Sequence, residues 1–332
     1  ALDHIIEILI SSNIKPERIG AFATPQATTE ELYLFQKLIR ALGSENIDYR
    51  LRQTDYDVRP NGYKPWLAMS VSDIENLDRI LVIGSNIRKE QPLLAHRMRQ
   101  AVKKNDASLA FINPMKSDSL VPTAEDFLVV PSQITGLLGE VVKAVSLLLD
   151  RSVPEGLDDI SVGSDADRIA QMLVSGERKL ILVGALCRNH PDRSKIEQLS
   201  HLIGQLVEAN VGLLTEGPNS LGAEVVNNLP GSDGLNAGEM MSTTLDAYFL
   251  LHAEMSEDSC APGLAAGVLK SAPLVVALNA FKGEVSEYAT VILPVSPFSE
   301  TAGTFINLEG TPQSFGPVAP TKGLSRPAWR LI

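Results

Sequence analysis

Cysteine is scarce in this chain, and its scarcity limits the redox chemistry that the chain can support. Only Cys187 and Cys260 occur, far apart and in no C-x-x-C spacing. An iron–sulfur cluster is held by about four thiolates, so the chain cannot hold one by itself. Two isolated thiols indicate a reducing compartment, and we expect both to be ordinary buried residues, with a disulfide between them as the lesser alternative.

Positive charge is also in short supply. The chain has 29 lysines and arginines against 40 aspartates and glutamates, which gives a net charge of -11. Nucleic-acid-binding domains use a basic excess to neutralise phosphates, so no nucleic-acid partner is predicted. The acidic residues are spread along the chain rather than gathered in a tail, which is typical of a solvated surface.

Long hydrophobic runs are missing as well. None approaches the ~18 residues of a membrane-spanning helix, so no direct membrane insertion is predicted. The 332 residues, 44% of them hydrophobic, suffice for two globular cores of ordinary size. The chain begins at Ala1 and not at methionine, so we expect it to be a piece of a longer polypeptide.

Strand-like and helix-like segments alternate along the whole chain. Apolar runs typical of buried strands occur at residues 19–24, 77–86, 108–114, 127–131, 179–184, 212–215, 247–251, 274–278 and 290–293. The alternation predicts an α/β fold with parallel sheets and right-handed crossovers. Residues 151–164, rich in turn-forming residues, are the clearest linker, and this pattern alone favours two consecutive domains divided near residue 150.

The most informative stretch covers residues 289–313. It begins as a buried strand that Pro294 stops, and it continues through a polar turn. An extended run at 304–306 follows, and residues 307–310 turn the chain again. From the residues alone, this is a strand end opening into a long polar loop, where α/β proteins place ligands.

This stretch resembles a known signature. Residues 289–294 (A-T-V-I-L-P) and 299–310 (S-E-T-A-G-T-F-I-N-L-E-G) resemble the "A-D-V-V-L-P … E … G-T-F-x-N-x-E-G-R-x-Q" pattern of the molybdopterin oxidoreductase superfamily. Within the superfamily the stretch is most similar to the branch formed by the G subunits of bacterial NADH-quinone oxidoreductase, respiratory complex I. Residues 229–239 resemble the superfamily's "Q-N-x-x-G-A-x-D-M-G" region, and their glycines suit close approach to a ligand or to another chain segment.

The resemblance implies two Rossmann-like parallel-sheet domains, the smaller inserted into the larger. On this pattern residues 1–72 and 165–332 form the larger α/β domain. Residues 73–150 form the inserted Rossmann-like domain, and 151–164 the linker. We prefer this insertion to the consecutive arrangement.

The resemblance also marks Gly84, Asn86 and Asn113 as vestigial cofactor-binding positions. In active relatives a "G-x-N-P … H-P" loop contacts the pterin dinucleotide. Gly84, Asn86 and Pro92 match it, with Gln91 in place of the histidine. From the residues alone, a tight strand-to-helix turn is the simpler interpretation of this loop.

The next strand end departs from the family pattern. Active relatives carry D-P-R, whereas this chain has Asn113-Pro114-Met115. The change replaces a carboxylate by an amide and a guanidinium by a thioether, which removes the strongest kinds of polar contact. Asn113 therefore retains a weak contact at most.

A metal site is not predicted. Active relatives place a metal-ligating Cys, selenocysteine, Ser or Asp soon after their "N-N-V-D" stretch, and the corresponding residues 52–55 read R-Q-T-D. Asp55 could ligate a hard metal, but an exposed loop aspartate is the simpler interpretation. The five histidines lie at no zinc-binding spacing, and we expect His252 to be a core histidine.

No catalytic arrangement is visible either. Glu300 and Glu309 flank the loop at Gly303, and hydrogen bonding to loop amides is their favoured role.

The resemblance and its departures together favour a cofactor-free scaffold domain of the complex I G subunit, and they argue against bound molybdopterin. The resemblance implies a parent enzyme that transfers electrons from NADH to quinone, with iron–sulfur clusters elsewhere in the subunit's chain. It also implies partners among the other peripheral-arm subunits, on the cytoplasmic side of the bacterial inner membrane. The alternative is an active molybdopterin-dependent oxidoreductase domain of the formate dehydrogenase type. An unrelated Rossmann-like nucleotide binder would leave the signature at 303–310 unexplained.

Overall fold

The structure, a computed structural model, describes residues 1–57, 65–121 and 124–332. Within these ranges the strands are β1 (Ile19–Ala23), β2 (Ile47–Asp48), β3 (Arg79–Ile83), β4 (Ser108–Asn113), β5 (Glu125–Leu128), β6 (Lys179–Val183), β7 (Asn210–Leu213), β8 (Ala247–Leu251), β9 (Leu274–Asn279), β10 (Val291–Pro294), β11 (Gly303–Ile306) and β12 (Pro312–Phe315). The predicted strands are therefore confirmed, with shifts of a few residues at their ends.

The α-helices connect these strands in the order that the pattern predicts. They are α1 (Leu2–Ser11), α2 (Thr29–Ala41), α3 (Ile87–Glu90), α4 (Pro92–Asn105), α5 (Ile134–Leu148), α6 (Ser164–Val174), α7 (Ala185–Arg188), α8 (Arg193–Val207), α9 (Ser220–Val225), α10 (Ala237–Ser242), α11 (Met255–Asp258) and α12 (Pro262–Ser271). Short 3-10 helices cover Pro16–Arg18, Ser72–Asn76, Pro131–Gln133, Glu284–Glu287, Phe298–Glu300 and Ala328–Arg330. Of the helices described, none is both long and apolar enough to cross a bilayer.

The chain folds into two compact units, and each unit has its own parallel sheet. Unit 1 comprises residues 1–54 and 216–332, and its sheet has the order β10-β9-β8-β1-β2. Strands β1, β8 and β9 are buried at every position, as expected for parallel strands that helices cover on both faces. Strands β11 and β12 form a separate antiparallel hairpin in the same unit.

Unit 2 comprises residues 55–215, with the parallel sheet β5-β4-β3-β6-β7. Helix α5 buries nine residues, and its apolar face joins residues of α6 and α8 in one core with the sheet. The predicted fold class, two parallel-sheet α/β domains, is confirmed.

The boundaries between the units differ from those predicted. The predicted boundaries assign residues 165–215 to the larger domain, yet β6 pairs directly with β3, with Arg79 opposite Lys179, and β7 pairs with β6. Unit 2 therefore extends from residue 55 to 215 rather than from 73 to 150. The predicted boundaries rested on the family resemblance, and the periodicity of residues 179–183 could not correct them, because it identifies a buried strand without saying which sheet that strand joins.

The predicted linker at 151–164 connects two helices of the same unit. Leu157 and Val162 pack against the core of unit 2, and Lys143 Nζ donates to the Ile160 carbonyl oxygen at 2.8 Å. This segment is a connection between α5 and α6 that packs against the core of unit 2, and it is not a boundary between domains.

The two cysteines differ in their environments. Cys187 is buried, as expected, but Cys260 is exposed, so that part of the prediction was wrong. Cys260 lies in the turn after α11, where its Sγ is 3.3 Å from the Gln53 carbonyl oxygen. Both thiols are free, so the alternative of a disulfide does not hold.

Candidate functional site

The turn after β3 contains two of the three predicted cofactor positions. Gly84 follows the strand with a φ of +65°, a conformation that L side chains rarely adopt. A Cβ at this position would also collide with the Cys187 side chain. Gly84 is thus required by backbone geometry and by packing, in agreement with the interpretation of this loop as a tight strand-to-helix turn.

The donors of this turn are directed at a carboxylate of the chain itself. The Ser85 hydroxyl donates to Glu90 Oε2 at 2.6 Å, and the Asn86 N–H donates to Glu90 Oε1 at 2.8 Å. A strand-to-helix turn in an α/β sheet ordinarily offers such groups to an anionic ligand. Here Glu90 accepts from both donors, and its charge opposes a second anion beside it.

Asn113 lies at the end of the neighbouring strand, close to the same turn. Its side chain is buried, and its Nδ2 donates to the Ser85 carbonyl oxygen at 3.0 Å. The structure therefore brings Gly84, Asn86 and Asn113 together at the carboxyl edge of the unit 2 sheet. The amide of Asn113 is engaged in holding the turn, while Met115 is exposed.

The thiol beneath the turn is unsuited to nucleophilic or redox chemistry. Burial, with smaller contributions from the charges of Glu197 and Glu90, raises the pKa of Cys187 to about 12. A reactive cysteine needs a lowered pKa. Cys187 is therefore a packing residue.

Asp55, the position matched to the metal ligand, is buried and not exposed as predicted. Its Oδ2 accepts hydrogen bonds from the Ser194 N–H and hydroxyl, each at 2.7 Å. Burial opposes the charge of Asp55, but these bonds and that of the Asp57 N–H outweigh it and lower the pKa of the carboxyl. The carboxylate is committed to the first turn of α8. No group of three or more His, Cys, Asp or Glu side chains suited to a metal occurs in the described part of the chain.

A buried ion pair completes this arrangement in unit 2. Arg193 Nη1 donates to Glu197 Oε2 at 2.7 Å, and its Nε donates to the Asp55 carbonyl oxygen at 2.8 Å. Both side chains are almost fully buried. Arg193 thus fixes the backbone beside Asp55, which is a structural use of charge.

In unit 1, the glycine-rich residues 229–239 pack on the chain's own backbone. A Cβ at Gly234 would collide with the Glu45 carbonyl oxygen. The Leu235 N–H donates to Asn46 Oδ1 at 2.8 Å, and the Ala237 N–H donates to Asp48 Oδ2 at 3.1 Å. Of the two roles predicted for these glycines, close approach to another chain segment is the one observed at Gly234.

The signature that carries the family resemblance forms the β11–β12 hairpin. Asn307 Oδ1 accepts from the Glu309 and Thr311 N–H groups, both at 3.0 Å, and Gly310 has a φ of +87°. Glu300 Oε2 accepts from the Lys322 N–H at 3.1 Å, as predicted for a carboxylate that binds loop amides. These signature residues therefore build a turn.

Asn219 ties this hairpin to the rest of unit 1, and sequence reasoning missed it. The side chain is fully buried. Its Oδ1 accepts from the Ile306 N–H at 2.9 Å, and its Nδ2 donates to the Ala27 carbonyl oxygen at 2.8 Å. Its partners are distant in sequence, so only the position of Asn219 at the start of α9 could have drawn attention to it.

A cavity of about 310 Å³, here called the sheet-end pocket, opens where β1, β8, β9 and β10 end in unit 1. Its wall is strongly acidic and partly aromatic, and it includes Glu31, His252, Glu254, Glu257, Asp258, Asn279, Phe281, Ser296 and Phe298. Open α/β sheets bind ligands at this edge. The pocket is therefore the second candidate site.

Glu31 and His252 form the floor of this pocket. Glu31 Oε2 lies 3.4 Å from His252 Nε2 and accepts from the Thr28 N–H at 2.9 Å. Burial opposes ionisation of Glu31, but the hydrogen bond and charge of His252 and the bonds from Thr28 outweigh it, so its pKa is lowered. His252 has a φ of +53° and is only partly buried, so it is not the core histidine that was predicted.

Comparison with known proteins identifies the family of the chain and several relatives. The family model described as molybdopterin oxidoreductase matches residues 1–332. The chain is 24% identical over 330 residues to the G subunit of NADH-quinone oxidoreductase from Mycobacterium bovis, covering 90% of this chain and 38% of that protein. It is 23% identical over 390 residues to the F420-dependent formate dehydrogenase subunit alpha of Methanocaldococcus jannaschii, covering 98% and 58%. The chain thus spans about two fifths of the length of the first of these relatives.

A solved structure supports the fold. Acetylene hydratase from Pelobacter acetylenicus superposes with a TM-score of 0.73 at 15% identity, covering 99% of this chain and 56% of that one. At this identity the likeness concerns the fold alone.

The two candidate sites do not fit the phosphate-bearing pterin cofactor that the family description implies. In unit 2, Glu90 already accepts from the donors of the β3 turn. In unit 1, four carboxylates line the pocket at the strand ends. Each site therefore presents negative charge where an anionic group would have to bind.

Proposed function

This chain belongs to the molybdopterin oxidoreductase family, and from that premise we propose that it is a cofactor-free scaffold domain of the G subunit of an NADH-quinone oxidoreductase. The longer polypeptide would carry iron–sulfur clusters elsewhere, within an enzyme that passes electrons from NADH to quinone. This domain would contribute surfaces for the other peripheral-arm subunits, on the cytoplasmic side of the bacterial inner membrane. It would perform no catalytic step of its own.

The Glu90 carboxylate carries the proposal. It accepts from both the Ser85 hydroxyl and the Asn86 N–H, so the chain itself satisfies two donors of the loop that resembles the cofactor-contacting loop of active relatives. The commitment of Asn113 to the Ser85 carbonyl oxygen supports the same conclusion. On this proposal Gly84, Asn86 and Asn113 are retained for the geometry of the turn.

An active oxidoreductase domain of the formate dehydrogenase type is the second candidate. It is favoured by the similarity to the Methanocaldococcus jannaschii formate dehydrogenase subunit, which covers 98% of this chain. In that case Asn86, whose residue is exposed at the β3 turn, would contact the cofactor directly.

The test compares wild type with Asn86→Ala in the full-length subunit assembled in its complex. The scaffold proposal predicts NADH-quinone turnover per assembled complex within about twofold of wild type, and no formate-dependent dye reduction in either protein. Formate-dependent reduction that Asn86→Ala abolishes would establish the second candidate. A matched variant at a helix position, Arg99→Ala in α4, controls for general effects on assembly.

A further inference from the structure

The sheet-end pocket of unit 1 is lined by more carboxylates than basic groups, although Arg52 lies beside it and its Nη2 donates to the Glu257 carbonyl oxygen at 3.0 Å. Glu31, Glu254, Glu257 and Asp258 line it, and its lining in the described part of the chain contains no lysine or arginine. With Arg52 and His252 both counted as partners, the four carboxylates remain in excess.

Two buried polar atoms of this pocket are left without a hydrogen bond by the residues that the structure describes. Glu31 and Ser296 are each 1% exposed, and the two atoms are Glu31 Oε1 and Ser296 Oγ. A buried acceptor left unsatisfied is costly and therefore rare in native proteins. Both atoms can therefore accept a hydrogen bond from a group that enters the pocket.

The side chains that line the pocket favour one class of ligand over two others. A metal ion needs three or more ligands in coordinating geometry, and no such group exists within the described ranges. An anion is opposed by the carboxylates. An organic cation would satisfy the two unpaired acceptors and the excess of carboxylates together. Its N–H groups can donate to separate acceptors, while its positive charge neutralises the carboxylates of the wall.

The rim of the pocket suits an apolar stem. Phe281 is 67% exposed and Phe298 is 81% exposed, and both belong to the lining. Aromatic faces attract cations and pack against the methylene groups beside them. Large exposed aromatic side chains at the mouth of an acidic pocket are therefore consistent with a ligand that has a charged head and an apolar stem.

We propose that the sheet-end pocket binds an organic cation, a guanidinium or primary ammonium group on an apolar stem, with Glu31 Oε1 and Ser296 Oγ as acceptors. Glu254 contributes to the charge of the wall, while its Oε1 accepts from Asn279 Nδ2 at 3.3 Å. The cation is either a free small molecule or an arginine or lysine side chain of a partner polypeptide. This inference does not depend on the scaffold proposal.

The test is calorimetric titration of the full-length subunit with butylguanidinium, and with butylurea as the uncharged probe of the same shape. We expect butylguanidinium to bind with a Kd of about 1 mM or tighter and butylurea to bind at least about tenfold more weakly. Glu31→Gln and Ser296→Ala should each weaken butylguanidinium binding by about threefold or more. A peptide, acetyl-Gly-Arg-Gly-amide, distinguishes the sources: tighter binding than butylguanidinium indicates a partner side chain, and weaker binding indicates a free small cation.

A matched control separates loss of the site from loss of the fold. Glu239 closes the capping box of α10 as Glu31 closes that of α2, but it is outside the pocket lining. Glu239→Gln should leave the Kd unchanged. The proposal is overturned if butylguanidinium does not bind, if butylurea binds equally well, or if Glu31→Gln and Ser296→Ala both leave the Kd unchanged.

Discussion

Replacing Asp55 by alanine should destabilise unit 2 strongly, although its position corresponds to a metal ligand in active relatives. The substitution removes the acceptor of both the Ser194 N–H and the Ser194 hydroxyl. Two hydrogen bonds to a buried charged group contribute about 1.5–3 kcal/mol each, so we expect a loss of about 3–6 kcal/mol. In a domain of this size that loss lowers Tm by roughly 10 °C.

The chain's two tryptophans allow the effect to be assigned to one unit. Trp66 lies in unit 2 and Trp329 in unit 1. Urea unfolding in a Trp329→Phe background therefore reports unit 2 by fluorescence, and a Trp66→Phe background reports unit 1. Asp55→Ala should lower the urea midpoint of the unit 2 transition, seen in the Trp329→Phe background. It should leave the midpoint of the unit 1 transition, seen in the Trp66→Phe background, unchanged.

The matched control is Asp57→Ala. Asp57 is exposed, and Arg193 binds its backbone carbonyl oxygen rather than its side chain. We expect a change below about 0.5 kcal/mol. Equal stability of wild type and Asp55→Ala would refute the structural role and restore Asp55 as a metal ligand or a solvated residue.

The effect of Asp55 should also depend on pH. The folded-state pKa of this carboxyl is lowered, so its ionisation stabilises the fold above its ordinary pKa of 3.8 and this contribution is lost as pH falls through the folded value. The stability difference between wild type and Asp55→Asn should therefore be largest near neutral pH and shrink below about pH 4.

Three further predictions concern Gly84, Asn219 and Glu31. Gly84→Ala should cost about 2–4 kcal/mol, because the turn holds this position at a positive φ that a Cβ disfavours, and because the Cβ would collide with Cys187. Gly136→Ala, in open space on α5, should be neutral or stabilising by up to about 1 kcal/mol. Asn219→Ala should cost about 2–4 kcal/mol in unit 1, since it leaves two buried backbone groups without partners, and unfolding followed by the unit 1 fluorescence would test this. Glu31→Gln should reduce the stability of unit 1 at pH 7, and the difference should decline as pH falls below about 4.5, because the folded pKa of Glu31 is lowered.

Each of these predictions has a contradicting result. An unchanged midpoint for Gly84→Ala would show that the turn relaxes around the new side chain. If Asn219→Ala lowered the stability of unit 2 and left that of unit 1 unchanged, the hydrogen bonds of Asn219 would not stabilise unit 1 as proposed. A difference for Glu31→Gln that grows in acid would mean that the folded pKa of the carboxyl is raised rather than lowered.

The fold class could be predicted because it rests on local patterns. The run Leu180, Ile181 and Leu182 identifies a buried strand, and Gly184 shortly after it marks its end. What local pattern cannot supply is the partner of that strand. Strand β6 pairs with β3, about a hundred residues earlier, and the choice depends on how the helices pack, so the predicted domain boundaries failed.

The candidate site was predictable only in part, for a similar reason. The signature glycines and Asn307 could be recognised because their partners lie within a few residues. The roles of Asp55 and Asn219 could not, since their hydrogen-bond partners lie more than 80 residues away. The sheet-end pocket was also missed, because its carboxylates come from both segments of unit 1 and form no motif.

The measurement that tests the cofactor-free proposal most directly is elemental analysis for molybdenum and tungsten, coupled to the fluorescence of oxidised pterin released by acid. It should be made on the full-length subunit in its assembled complex as well as on the separate chain, so that loss of a cofactor on isolation is detected. We expect neither metal nor pterin attributable to this subunit in either sample. Metal and pterin together in a stoichiometric amount would contradict the proposal, and would mean that Glu90 gives up its contacts at the β3 turn to make room for a cofactor.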